Sequence, residues 1–232
     1  MSEALQKVAG IKHLPLFPLP LVLLPNELLP LHIFEERYQK MLKDVEADRR
    51  FFGVTRFEPG ESLNEKPAIG TVGCVAEIRE TQPLPDGRSN VITVGVVRYH
   101  LIDYVDAGEP YLIGDVEFFE DEHEDEVVLH ELSEDVHALF ERVAKAAFKL
   151  SDNRGKFPDI PKADPEQLSF LITAAFNLDN ELKYRLLETH STSDRLQKLK
   201  EILEQTVTKM EESAEIHKIS QLNGHSKKKL DI

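Results

Sequence analysis

The sequence predicts an α+β protein. A β-rich lobe spans residues 1–119, an acidic linker spans 120–126, a helical lobe spans 127–219, and a flexible tail covers 220–232. Three observations carry this reading. Strand-length runs rich in Val, Ile, Thr and Tyr, punctuated by Pro, Gly and Asp, fill the first half. Apolar residues at helical spacing fill the second half. Strands that nearly all precede the helices imply an α+β arrangement and not a doubly wound sheet.

The first apolar segment runs from Leu14 to Ile33 and is broken by Pro15, Pro18, Pro20, Pro25 and Pro30. Proline lacks a backbone donor and clashes inside a helix, so this segment is not expected to span a membrane. No basic segment followed by a short apolar run and a small-residue cleavage site marks a leader. Cys74 is the single cysteine, which excludes an intrachain disulfide and agrees with a reducing compartment. The expectation is a soluble, cytoplasmic protein.

From Ile33 to Ala47, apolar or aromatic residues at 33, 34, 38, 41, 42 and 45 predict one helix inside the β lobe, with Phe34 and Tyr38 on its apolar face. Phe51 to Glu58 is a short strand ended by Pro59-Gly60. In Thr71 to Glu80 the residues Val72, Cys74, Ala76 and Ile78 alternate onto one face. Leu84-Pro85-Asp86-Gly87 carries a strong turn signal, so this strand and Val91 to Tyr104 should form a long hairpin. Tyr111 to Phe119 supplies another strand.

In the second half, apolar residues at 128, 132, 136, 139, 140, 143, 147 and 150 share one helix face. Ser151 to Ala163, with Gly155, Pro158 and Pro161, reads as a loop. Asp164-Pro165-Glu166-Gln167 is a helix start in which Asp caps and Pro fits the first turn; that helix should run to about Asn177. A short helix covers Asn180 to Glu188. The last begins at Ser193 or Asp194 and carries Leu196, Leu199, Leu203, Val207, Met210 and Ala214 on one stripe to residue 219. That stripe packs on the helical lobe or reaches a partner helix with its far end.

Charge bears on function. The formal net charge is −14, and residues 117 to 142 hold eleven acids against one base, Arg142. Phosphate binding needs cationic side chains, so nucleic-acid binding is disfavoured. The one basic run, Lys227 to Lys229, reads as a solvated tail. Gly155-Lys156 is followed by Phe157, with Leu150 in place of the first glycine, so no phosphate-binding loop is present. No serine is flanked in the G-x-S-x-G manner. Cys74 sits at an inward position of an alternating strand and reads as a core residue, although a thiolate there would be a nucleophile. His130, Glu134 and His137 share a helix face opposite the apolar stripe, a metal-like spacing that points to solvent and lacks dry surroundings. His123, in the acidic linker, adds little to it.

Several motifs in fixed order resemble a known family. They are Leu14-Pro15-Leu16-Phe17-Pro18 through Pro25, then Pro30-Leu31-His32-Ile33-Phe34-Glu35-Glu36-Arg37-Tyr38, and then Ile69 to Ile78. Leu84 to Gly87, Gly95 to Leu101, and Leu186 to Leu196 complete the set. Together they are similar to the N-terminal, substrate-engaging domain of Lon-type proteases in its stand-alone form, over roughly residues 13 to 210. The resemblance implies a PUA-like β-barrel lobe joined to a helical bundle lobe. It implies a non-catalytic module for unfolded or degron-bearing proteins and peptides, acting as an adaptor or modulator beside a protease in protein quality control. The ATPase and Ser–Lys protease domains of full Lon proteases have no counterpart in these residues, so neither activity is expected. No catalytic, cofactor-binding or metal residue is carried over, and no peptide-binding residue is assigned. Two readings of other classes stand beside it. One is a small hydrolase using Cys74 or a metal on His130, Glu134 and His137; the other is an RNA-binding PUA-like protein, a fold-level analogy that the charge opposes.

Overall fold

The computed structural model describes residues 2–58, 60, 66–150, 160 and 162–223, without the side chains of 149, 150 and 211–223. In chain order the elements are α1 (Glu3–Lys7), β1 (His13–Leu19), β2 (Leu28–Ile33), α2 (Glu36–Ala47), β3 (Phe51–Arg56) and β4 (Val72–Pro83). A 3-10 turn (Pro85–Gly87), β5 (Ser89–Tyr104), β6 (Leu112–Phe119), α3 (Glu126–Leu150), α4 (Pro165–Ala175), α5 (Asn180–Glu188) and α6 (Thr192–Asn223) follow. The expected loop over 151–163, the Pro59 turn and Lys227 to Lys229 lie wholly or largely outside the described residues.

The chain forms two compact units. The first comprises Met1–Glu122 and Phe170–His190, the second His123–Ser169 and Ser191–Ile232. This interleaving has no counterpart in the linear division expected from the sequence.

In the first unit the strands are ordered β2-β5-β4-β3-β1-β6, and β6 also pairs with β5. The long β5 makes this possible. Its first half pairs with β2, its second half with β6, and β4 runs beside both. The β4–β5 pair is the expected hairpin, and Asp86 and Gly87 adopt φ of 75° and 84° at its turn. β1 pairs in parallel with β3, which a hairpin connection does not allow; α2 lies between them in sequence.

The strand faces feed separate clusters. Cys74, Ala76 and Ile78 of β4 pack with Phe17, Phe52 and the buried side of α2, namely Tyr38, Met41, Leu42 and Val45. Val75 faces the other way, with Leu14, Leu16, Val97, Tyr99 and Leu101. Val72, expected to share the face of Cys74, instead joins Val22, Leu24, Phe170 and Leu187 in a third cluster. That cluster gives the physical reason why 170–190 belongs with the strands: Phe170 and Leu187 bury their side chains there. The fully buried Tyr99 fits only because β3 and β4 carry glycine beside it. A Cβ on Gly53 or Gly73 would lie 2.5 or 2.4 Å from its side chain. Its hydroxyl shares a 2.6 Å hydrogen bond with Thr55 Oγ1.

One local expectation is corrected and one element is new. The helix near 33–47 begins at Glu36; Ile33 ends β2 opposite Ser89, and Phe34 follows it at 60% exposure, off the helix. Strand alternation governs there: Ile33 points inward, so its neighbour Phe34 points outward. The short α1 is absent from the sequence reading, although Ser2 accepts a hydrogen bond from Leu5 N at 3.1 Å as its cap.

In the second unit α3 and α6 pack along each other. Val136, Phe140 and Val143 of α3 are buried, as are Leu196, Leu199, Leu203 and Val207 of α6. Lys200 pairs with Asp135 at 2.7 Å. The buried Arg195 donates from Nε to Ser169 Oγ at 2.7 Å. Caps form where acids were expected to supply them: Asp164 accepts from Gln167 N at 3.0 Å. The first turn of α3 departs from its predicted stripe, because Val128 is 56% exposed. α6 starts one residue before the expected Ser193 and continues through Asn223, into the first residues of the expected tail.

Candidate functional site

The edge strand β2 presents a row of apolar side chains on its outer face. Direct pairing sets Leu28 opposite Val94, Pro30 opposite Ile92 and His32 opposite Asn90, so these six residues share that face. Leu28 is 66% exposed and Ile92 41% exposed. The His32 ring stacks near Phe34 with centroids 6.1 Å apart, and His32 Nδ1 lies 2.8 Å from Asn90 Oδ1. Leu29, Leu31 and Ile33 point the other way, into the α2 cluster. The alternation that builds the core therefore also leaves a strip from Leu28 to Phe34 uncovered.

The strip is held from behind. Asn26 N donates to Gly95 O and Gly95 N donates to Glu27 O, both at 2.9 Å, which pins the β1–β2 connection onto β5. Burial pushes the Glu27 carboxyl up from its ordinary range, against the Leu24 amide that donates to it at 2.9 Å. The end of α5 is latched by Arg98 of β5. Its guanidinium donates to Leu187 O at 2.9 Å, to Thr189 O at 2.7 Å, and to the Asp121 carboxylate. Beside this latch the rings of Phe119, His100 and His190 form a mutually stacked group, with Phe119 at 4.3 Å from His100 and 4.4 Å from His190 and the two imidazoles 5.6 Å apart.

The residues singled out for chemistry are not brought together. Cys74 is fully buried in the α2 cluster, and burial pushes its thiol up to about 12. A nucleophile needs the thiolate, so this environment works against that role. At pH 8 we expect a thiol reagent to modify the native protein about a thousandfold more slowly than free cysteine, and at the ordinary rate after denaturation. Rapid labelling of the native protein would return Cys74 to consideration as a nucleophile. On α3, His130 and Glu134 are exposed, and Glu134 is taken by Lys162 at 2.7 Å. His137 differs from the solvent-facing expectation: it is half-buried, and its Nε2 is buried without a hydrogen-bond partner among the described residues. His123 is exposed. Among the described residues no three His, Cys, Asp or Glu side chains form a group that could hold a metal. No described helix is long and apolar enough to cross a membrane. The Leu28–Phe34 strip itself was missed by the sequence reading. Its signal was the alternation Leu28-Leu29-Pro30-Leu31-His32-Ile33, hidden inside an unusually apolar segment.

A mixed α+β domain with this sheet and these helices is the fold of Lon N-terminal domains. The structure resembles that of a Lon N-terminal domain protein from Xanthomonas campestris with a TM-score of 0.57 at 23% identity, over 82% of this chain and 97% of that one. It resembles the N-terminal domain of the Mycobacterium avium complex Lon protease with a TM-score of 0.60 at 18% identity, over 83% and 98%. Residues 13–205 match the ATP-dependent protease La (LON) substrate-binding domain, and the chain belongs to that family. It is 28% identical over 200 residues to Lon protease 2 of Herpetosiphon aurantiacus, covering 85% of this chain and 24% of the relative. It is 27% identical over 214 residues to the Lon protease of Cytophaga hutchinsonii, covering 88% and 25%. The chain thus spans about a quarter of the length of these relatives.

Proposed function

We propose that this protein is a non-catalytic module that binds extended, apolar segments of unfolded or degron-bearing polypeptides. The observation that carries the reading is the exposed row Leu28, Pro30 and Phe34 along and just past the edge strand β2, with Ile92 of β5 beside it. Contiguous exposed apolar surface on a folded domain marks an interaction site. Covering it stabilises a complex by roughly 25 cal/mol per Å² of apolar area removed from water. Pro30 lacks an N–H, which blunts the strand edge against simple strand addition. Recognition then rests on apolar side chains, which suits partners of varied sequence. Membership of a substrate-binding domain family supports the same role.

The ring of pairings through β5, β4, β3, β1 and β6 supports reading the strands as a PUA-like barrel lobe. The packing of α3 on α6 supports a helical bundle lobe over the second unit. In this reading the module serves as an adaptor or modulator beside a protease in the cytoplasm, and its net charge of −14 disfavours nucleic acid.

Fluorescence anisotropy tests it. A labelled, permanently unfolded protein should bind, and its folded form should not. The double variant Leu28→Ser/Phe34→Ser should bind about tenfold more weakly or worse, since two apolar anchors are lost, with an unchanged melting temperature because both side chains already face water. Equal binding of folded and unfolded forms, or of the variant and the parent, would overturn the proposal.

A further inference from the structure

A cavity of about 240 Å³ lies in the first unit, beyond the end of β3. Its apolar wall is Phe57, Pro67 and Ala68, and its polar groups come from Arg56, Lys66, Thr71 and Tyr184. The polar groups are mostly committed as donors or already engaged. Thr71 donates to Ala68 O at 2.6 Å, and the Tyr184 hydroxyl accepts from Val72 N at 3.0 Å. Arg56 meets Glu58 at 3.1 Å and Glu181 at 3.5 Å, and stands 5.8 Å from the Tyr184 ring centroid.

Lys66 is placed differently. Its ammonium lies 4.0 Å from the centroid of the Tyr104 ring, and that ring is fixed by its hydroxyl donating to Pro67 O at 2.6 Å. Among the described residues Lys66 meets no carboxylate. The aromatic face steadies the cation but leaves its three N–H donors without a charged acceptor among the described residues.

Size and chemistry together restrict the occupant. Liquid water takes about 30 Å³ per molecule, so the cavity has room for about eight waters. That is the scale of one amino-acid residue, below the roughly 300–1,000 Å³ of sites for drug-sized ligands. The cation asks for an anion and the wall asks for an apolar group. A polypeptide's last residue supplies both within that volume.

We propose that this cavity receives the C-terminal residue of a bound polypeptide, with its apolar side chain against Phe57, Pro67 and Ala68 and its free carboxylate on Lys66. The proposal rests on the reading of the protein as a polypeptide-binding module. It adds an end-specific subsite to the sequence-tolerant strip on β2.

Two probe pairs test it on the full chain. The first is N-acetyl-leucine against N-acetyl-leucinamide, followed through the amide resonances of Ala68 and Thr71. The acid should shift them and the amide should not. The second is an unfolded peptide ending in leucine, as free acid and as C-terminal amide, followed by anisotropy. The acid should bind about tenfold tighter, the change given by one charge-assisted contact. Lys66→Met should remove the preference while leaving the affinity of the amide unchanged, and Lys66→Arg should keep it; unchanged melting temperatures show that both variants fold. Equal binding of acid and amide, or a preference that survives Lys66→Met, would overturn the proposal. So would shifts caused by N-acetyl-leucine with no preference between the peptides, which would assign the cavity to a small carboxylate. An acid-selective peptide response together with no binding of a longer unfolded protein would retain the C-terminal subsite and remove the wider reading.

Discussion

Arg98→Met is expected to lower the stability of the first unit by about 3–5 kcal/mol, the range for removing one partner of a buried ion pair. The side chains of Arg98 and Asp121 are only 1% and 5% exposed, so water does not replace the lost partner. Methionine fills much of the volume but takes the Arg98 guanidinium away from the buried Asp121 carboxylate. It also removes the donors that hold Leu187 O and Thr189 O, and the guanidinium that lies 4.5 Å from the Phe119 ring centroid and 5.3 Å from that of Phe170. These contacts tie α5 to β5, so α5 should loosen first. The five tyrosines all lie in the first unit and the chain has no tryptophan, so intrinsic tyrosine fluorescence in a urea titration reads this unit alone. The double variant Arg98→Met/Asp121→Leu should recover much of the loss, because the Asp121 carboxylate is then no longer buried beside the missing guanidinium. A single variant within 1 kcal/mol of the parent would show that the pair is not the latch described.

Gly95→Ala should cost about 3 kcal/mol, at the upper end for overpacking, and should also weaken polypeptide binding. A Cβ at Gly95 would lie 2.0 Å from Leu24 O, 2.9 Å from its carbonyl carbon and 3.2 Å from Cys74 Sγ. The first two atoms are backbone and cannot swing aside as a flexible side chain would. Relief of the clash must move the β1–β2 connection, and that breaks the paired hydrogen bonds linking Gly95 to Asn26 and Glu27. Leu28, the first residue of β2 and of the exposed strip, follows directly. Loss of stability is read from the urea midpoint and loss of binding from anisotropy with the unfolded probe. A variant with the parent's midpoint would mean that the close approach of Leu24 to β5 is not maintained in solution.

The elements most legible in the sequence are those whose signal lies in consecutive residues. Asp86-Gly87 marks the hairpin turn because both residues must adopt positive φ there. Tyr38, Met41, Leu42 and Val45 mark α2 because helical spacing puts them on one buried side. Asp164 marks the start of α4 through the free amide it satisfies. The site was less legible. In the apolar stretch from Leu14 to Ile33 nearly every residue looks like core, so composition does not separate the inward Leu29 from the outward Leu28. Phe34 fits a helical stripe by spacing, yet the register Ile33 opposite Ser89 turns it to solvent.

By itself, the sequence determined the order of strands and helices from α2 onward, the hairpin turn, the Asp164 cap and the family, since these depend on local backbone preference and on motifs in fixed order. Tertiary structure alone decided that β6 closes back onto β5, and that 170–190 packs with Val22, Leu24 and Val72. It alone placed Lys66 on Tyr104 in the lining of a cavity and left Leu28 and Phe34 uncovered. The physical reason is that burial is a property of partners distant in sequence. A residue's own neighbours set which way its side chain points, and only the assembled chain settles what, if anything, meets it there.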